Sequence, residues 1–352
     1  MTATALRKSD SLTAGQLPRW ATPAILVGSI ALAVLVTLLL GPFNVGLAAV
    51  FAFVIHQVAT YLTSRLVEGP RRATDRMMTG FIIGAFLLAL VPLVWVAATT
   101  LANGLNRFDL SFFNNSMRNV DGVGGGAVHA IYGTLMITGF ATVISVPVGL
   151  LTAIYLSEYG RGHLARGITF FVDVMTGIPS IVAGLFAYAL MTLLLGPGTV
   201  SGFSGSLALS VLMIPVVVRS TEELLKIVPN ELREASYALG VPKWRTILRI
   251  VLPTAVSGIV AGVILAIARI IGETAPLMVA AGFTQSINMN FFSGPMMTLP
   301  TFVYDQYAYR GIPPEAFVDR AWTGALTLIL IVMALNLIGR LVAKRFAPKS
   351  GR

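Results

Sequence analysis

The stretch "NELREASYALGVPKWRTILRIVLP" (residues 230–253) carries six charged side chains, Glu231, Arg233, Glu234, Lys243, Arg245 and Arg249, in a chain that is only 11% charged. Long apolar runs flank it on both sides. Leu232, Ala235, Ser236 and Leu239 recur at i, i+3, i+4 and i+7, the spacing of one helical face. Glu231 and Glu234 fall early in that helix, where its dipole favours acid. Gly240 is placed to end it, and Pro242 suits the start of a second helix that leads into the next apolar run. The stretch reads as a short helix, a turn and a second helix, displayed at a membrane surface by two spans. A helix lying on lipid is usually rich in Lys and Arg on its polar face. The acids Glu222, Glu223, Glu231 and Glu234 favour a helix that docks in a groove of a partner protein.

Working outward, the chain has 352 residues, is 56% hydrophobic and has a mean hydropathy of +0.82. A soluble domain carries about a quarter charged residues. Here the apolar residues gather in blocks of the length that crosses a bilayer, roughly 18 residues or more. About eight spans are predicted, at 24–40, 45–62, 80–99, 132–156, 168–195, 204–218, 254–282 and 322–342, which makes this an all-α membrane protein. Of the 25 basic residues, four (Arg107, Arg118, Arg310 and Arg320) fall on one side of these spans, Arg269 falls inside one, and the other twenty fall on the opposite side. The positive-inside rule then places both termini in the cytoplasm. The net charge of +10 is accounted for by this topology and calls for no nucleic acid. With no cysteine and three isolated histidines, the sequence offers neither a disulfide nor a metal site.

Residues 1–23 and 346–352 read as cytoplasmic tails, and 24–62 as a hairpin of two spans turning at "GPFN" (41–44). A basic linker, 63–79, precedes the main membrane domain, 80–345, whose surface helices are expected at about 221–249. The external loop 100–128 ends in "DGVGGGAV" (121–128), which reads as a flexible connector. The second external segment, 283–320, and the rings of Phe112, Phe113, Tyr304 and Tyr307 are expected along the outer interface. Gly258 and Gly262 have the small-xxx-small spacing that lets helices approach closely.

Three features inside the membrane bear on what crosses it. Arg269 and Glu273 stand four apart on the predicted span 254–282, hence on one helix face. Arg269 lies 16 residues beyond Pro253, about 24 Å of rise, a depth at which ionisable groups usually face protein or a water path. A guanidinium is a planar fork of donors suited to a compact oxyanion; the alternative is an ion pair that only fixes packing. Gly177 and Pro179 break a span, and the helix restarting at Ser180 presents free backbone donors toward an anion. Arg219 ends another span at the cytoplasmic boundary, with snorkelling as the simpler reading.

Resemblance to a known family adds to this. Glu234, Ala235, Gly240, Ile250, Leu252 and Pro253 fit, without a gap, the pattern Glu-Ala-Ala, three residues, Gly, nine residues, Ile-x-Leu-Pro. The stretch resembles the EAA loop of ABC-importer permeases. Ser236 departs from the third alanine, a small-for-small change. "AIYGTLMIT" (130–138), "AIYLSEYG" (153–160), "GIPSIVAGLFAY" (177–188) and "LAIARIIGETAPL" (265–277) are similar to the phosphate-importer branch, and "GETAPL" to its A-type subunit. The likeness covers about 80–345 and leaves the N-terminal hairpin outside.

The resemblance implies a type I permease core of six spans in a bacterial inner membrane, here with an extra hairpin. It implies that residues 234–253 couple the chain to an ATPase, and it supports a path role for Arg269 and Glu273. The implied partners are a second, homologous permease of C-type, two ATP-binding subunits and an extracytoplasmic phosphate-binding protein. No cofactor is expected on this chain: no lysine follows a glycine, so no Walker A loop exists, and ATP is used by the partner. A permease for molybdate or sulfate fits the coupling loop equally well. A gradient-driven transporter would call for midplane carboxylates and an inverted repeat. A non-transporting scaffold would call for neither the deep charges nor the loop.

Overall fold

The computed structural model describes residues 15–346, and these fold without any strand. Inside a bilayer every unpaired backbone N–H or C=O is costly, so an apolar segment there closes its hydrogen bonds within a helix. In chain order the helices are α1 (Ala21–Leu40), α2 (Val45–Val67), α3 (Pro70–Gly104), α4 (Leu110–Asn114) and α5 (Val128–Ile154). A π-helical turn, Tyr155–Tyr159, extends α5 and is followed by α6 (Gly162–Thr176), α7 (Ser180–Leu195) and α8 (Gly202–Ile227). Next come α9 (Asn230–Ala238), α10 (Lys243–Thr246), a second π-helical turn (Ile247–Val251) and α11 (Leu252–Ile270). The chain closes with α12 (Ala275–Ala280), α13 (Leu299–Ala308) and α14 (Pro314–Phe346). Among the described residues seven segments are long and apolar enough to cross a membrane, and α6 with α7, bent by 109°, makes an eighth if the pair is one crossing.

Several boundaries differ from those predicted. Residues 63–79 form no linker: α2 runs on to Val67, Glu68 and Gly69 turn the chain, and α3 begins at Pro70. Gly69 makes that turn possible with φ +90°, a conformation other residues avoid. The span expected at 204–218 is the longer α8, which tolerates Pro215 inside it. The span expected at 254–282 stops at Ile270. Continuing the helix would drive the Pro276 ring into the carbonyl of Gly272, four residues back. The tails 1–14 and 347–352, with Arg7, Lys8, Lys349 and Arg352, lie outside the described residues.

The chain divides into two compact units, one through Ala98 and one from Thr99. In the first, α1 packs on α2, and α3 approaches α2 at two glycines. A Cβ on Gly80 would come within 2.2 Å of Gln57 Oε1, and one on Gly84 within 2.4 Å of the Phe53 ring. The buried Glu68 carboxylate gathers the end of this unit at which α2 turns into α3. It accepts from Arg76 Nε (2.7 Å) and Nη2 (2.8 Å), from Ser64 Oγ (2.7 Å) and from the Leu17 amide (2.9 Å).

The second unit is built around α5 against α8. Ile137 and Ala141 of α5 meet Leu209, Met213 and Val217 of α8, with Ala266 and Ile270 of α11 closing the cluster. Lipid tails are as apolar as these side chains, so close packing holds the helices together. Gly149 lets α5 reach α8: a Cβ there would sit 2.7 Å from Val217. Gly258 and Gly262 do the same for α11, with Leu224 and Ser220 of α8 at 2.6 and 2.9 Å from a built Cβ. The small-xxx-small pair is therefore a packing surface.

The two segments read from sequence as external loops pack together into a folded cap. Phe112 is fully buried with Met117, Leu299 and Phe302, so it does not lie at the lipid interface as expected. The Thr134 hydroxyl of α5 accepts the Leu299 amide at 2.7 Å, pinning α13 to α5. The glycine cluster is clamped, which corrects its reading as a flexible connector. Buried Arg320 donates through Nη1 to the carbonyls of Gly122 (2.6 Å) and Gly124 (3.0 Å) and through Nε to Gln306 (2.7 Å). Arg107 Nη2 holds Gly125 O at 3.0 Å. The sequence places these arginines on the outer side but gives no hint that they fold the loop.

Candidate functional site

The charged stretch forms α9, a tight turn and α10, as its periodicity predicts. Val241 N–H donates to Ser236 O (3.2 Å) and Gly240 N–H to Tyr237 O (2.9 Å), the pair of bonds that closes a helix through a left-handed residue. Gly240 supplies that residue with φ +76°. Across the turn, Ser236 Oγ and Thr246 Oγ1 share a hydrogen bond of 2.8 Å, both buried. The predicted face Leu232, Ala235, Ser236, Leu239 is thus divided. Ser236 points into the chain, while Leu232, Ala235 and Leu239 are exposed, Leu239 by 84%. Glu234 is exposed beside them, with no side-chain partner among the described residues. Ile250 sits in the π turn that follows α10, and Leu252 and Pro253 open α11. Proline fits there because the first turn of a helix leaves its N–H groups without internal partners.

The anchor of this loop is Arg233, which sequence reading passed over. Its Nη2 lies 2.8 Å and its Nε 3.2 Å from Glu158 Oε1. It also caps the end of α8, donating to Leu225 O (2.9 Å) and Val228 O (2.6 Å), and reaches Asn230 Oδ1 at 3.3 Å. The Glu158 side chain is only 5% exposed. Lys243, on the far side of the turn, donates to the Glu158 carbonyl and lies 4.9 Å from the centre of the Tyr159 ring. Residues 158 and 159 belong to the π turn that ends α5. Partners 75 and 85 residues apart in sequence leave no local periodicity to read.

Arg269 and Glu273 are not on one helix face. Arg269 lies in the last turn of α11, and Glu273 in the following turn, where its amide donates to Ile270 O at 3.1 Å. Neither forms an ion pair among the described residues, and Arg269 is exposed. The break they flank touches α7: a Cβ on Gly184 would come within 2.6 Å of Pro276 Cα and O. The "GETAPL" segment and the "GIPSIVAGLFAY" segment therefore meet. Gly177 ends α6, Pro179 precedes α7 and Ser180 begins it. Arg219 is tied down by Asp173 of α6 and, at 2.9 Å, by Glu222, whose other oxygen takes Lys226 Nζ at 2.7 Å. Glu222 is buried in this cluster, so it is no part of the acidic surface inferred from sequence.

Residues 145–352 match the family described as binding-protein-dependent transport system inner membrane component. Over 280 residues the chain is 49% identical to the phosphate transport system permease protein PstA of Mycobacterium leprae, covering 78% of this chain and 90% of that one. Identity to the PstA of Yersinia pestis is 38% over 297 residues, covering 83% and 96%. This chain belongs to the PstA family of phosphate transport permeases. Among solved structures, one chain of a bacterial alginate ABC transporter, crystallised with a pentasaccharide-bound periplasmic protein, superposes with a TM-score of 0.53 at 14% identity. That match covers 82% of this chain and all of the other, and it places the helical arrangement among ABC permeases. As in other members of the PstA family, the chain is a multi-pass membrane protein.

Proposed function

We propose that this chain is the permease subunit of an ATP-driven importer of inorganic phosphate, forming half of the translocation path and receiving its drive through residues 230–253. The observation that carries this is the loop itself. An EAA-type sequence folds into a helix, a glycine turn and a second helix, with Glu234, Ala235 and Leu239 on an open outer face. An amphipathic helix with such a face suits a groove on a partner. The phosphate assignment is supported by PstA relatives at 38–49% identity.

The partners follow from the family: a second permease of similar fold, two ATP-binding subunits that receive the coupling helices, and an external protein that delivers phosphate. ATP is consumed on the ATPase, and this chain acts as a transport subunit. Both termini face the cytoplasm of a bacterial inner membrane, in keeping with the distribution of basic residues. ATP-driven closure of the ATPase pair moves α9, and the spans exchange an outward for an inward opening.

In this scheme Arg269 offers its guanidinium to the passing anion. Its exposure and lack of an ion-pair partner among the described residues support this. Glu273, one turn on, opposes tight binding, so the ion is released. The start of α7 at Pro179–Ser180 contributes backbone donors, and Arg219 lines the cytoplasmic exit.

Phosphate uptake is the test. Cells lacking a high-affinity importer would express the chain with its partner subunits, and molybdate and sulfate would be offered as competitors. ATP-dependent uptake resistant to both competitors is the expected result. Uptake of another oxyanion would keep the coupling loop and reject phosphate; no ATP-dependent uptake from an assembled complex would reject the whole reading.

A further inference from the structure

We infer that the Arg233–Glu158 ion pair is the joint through which the coupling helix moves α5, which makes both side chains positioning residues for transport. This rests on the coupling reading of α9 given above.

The argument begins with how little else holds α9. Most of its surface is open, and Ser236 is its buried residue. Arg233 is the long side chain that leaves α9 and enters the membrane unit. Of its two contacts with Glu158, the one through Nη2 (2.8 Å) has the length of a charge-assisted bond, and the one through Nε (3.2 Å) is longer. With the Glu158 side chain 5% exposed and that of Arg233 13% exposed, water screens this pair far less than a surface pair. Removing one partner from such a site leaves a charge uncompensated.

The second grip comes from α10. Lys243 holds the backbone carbonyl of Glu158 and covers the Tyr159 ring. The π turn is therefore held from both sides of the glycine turn. Single π turns inside α-helices occur frequently at functional sites.

From that turn α5 is continuous through the unit. It packs along α8, and near its outer end Gly133 and Thr134 meet Met297 and Leu299 of the external cap. A displacement of α9 carried by Arg233 thus reaches a rod whose far end holds the external loops. Coupling energies between distant sites are typically worth 5- to 150-fold, and this joint is placed to supply one.

The test uses the complete transporter in proteoliposomes, reading phosphate transported per ATP hydrolysed. Glu158→Gln preserves shape and removes the charge, whereas Arg233→Ala would also strip the cap from α8. Glu158→Gln is expected to co-purify with the ATPase but to lower the ratio by about tenfold. Glu158→Asp, which keeps the charge, is expected to retain at least half of it. Because the chain has no cysteine, Glu158→Cys with Arg233→Cys can be joined by a short bis-maleimide, each thiol adding to one maleimide double bond; bridging is expected to raise the ratio above that of the unbridged pair. A wild-type ratio in Glu158→Gln, or no gain on bridging, overturns the inference. So does loss of the ATPase from Glu158→Gln, which would make the pair an assembly contact. Failure of the coupling reading itself is seen separately, as a wild-type chain that does not retain the ATPase.

Discussion

The buried hydroxyls of Ser236 and Thr246 share a hydrogen bond of 2.8 Å that closes the coupling loop across its glycine turn. Ser236 is the one position at which the loop departs from the EAA pattern. Thr246 also lies 3.4 Å from Pro242 O, so it keeps a weaker acceptor without Ser236. Ser236→Ala is expected to cost about 1 kcal/mol of stability and to leave uptake close to wild type. Ser236→Leu places a branched chain where 4% of the residue is exposed and is expected to abolish coupling. Thermal denaturation of the solubilised protein and transport by the same preparations measure both.

Gly240 and Glu234 are expected to fail in different ways. A Cβ on Gly240 meets nothing within 4 Å, so the cost of Gly240→Ala is backbone strain at φ +76°, about 1–2 kcal/mol. That variant should insert, lose stability and transport less. Glu234 has no side-chain partner among the described residues, so Glu234→Ala should be as stable as wild type, with weaker ATPase association on co-purification. Wild-type association and uptake in both variants would count against docking through α9.

Arg269→Gln is expected to abolish phosphate uptake in a complex that still assembles. The residue is exposed and has no ion-pair partner among the described residues, so its loss should change stability little. Unchanged uptake would remove Arg269 from the path.

At the end of α2, the Arg76 guanidinium, helped by Ser64 and the Leu17 amide, holds the Glu68 carboxyl at about 2, below its ordinary 4.5. A carboxylate depressed in the folded state stabilises above its unfolded value and loses that contribution as pH falls through the folded one. The clamp should therefore be complete above about pH 5 and fade between pH 4.5 and about 2. Glu68→Gln removes it at neutral pH. The stability difference between variant and wild type should be large at pH 7 and shrink below pH 4. Protease access to residues 15–25 at each pH is a direct readout.

Arg320→Ala leaves two glycine carbonyls and Gln306 without their donor in the cap. A loss of about 3 kcal/mol or more is expected, with new cleavage by protease between Gly122 and Gly126. Arg118→Ala, on an exposed loop position nearby in sequence, is the control and should change neither.

Most of the helices were legible because hydrophobic length and the coupling motif are local signals. So was the helix break at Gly177–Pro179, which two backbone-altering residues announce. What was hidden depends on distance along the chain. Arg233 finds Glu158 across 75 residues, and Arg320 finds Gly122 across 198. Arg269 and Glu273 read as a helical pair because a spacing of four is read as one face. Pro276 ended that helix early and parted them. Length alone had merged α11 and α12 into one span; the proline was visible, but many membrane helices absorb one, as α8 absorbs Pro215.

The two π turns that bracket the coupling loop have an effect that no contact distance expresses. Each adds a residue to a helical turn and so shifts the helical phase beyond it by about 100°. Glu158 and Ile250 face where they do because of that offset. The loop's aim is thus stored as a residue count. Deleting one residue from either turn would remove a single side chain yet rotate the helix beyond it by about 100°, like a gear set one tooth out of mesh.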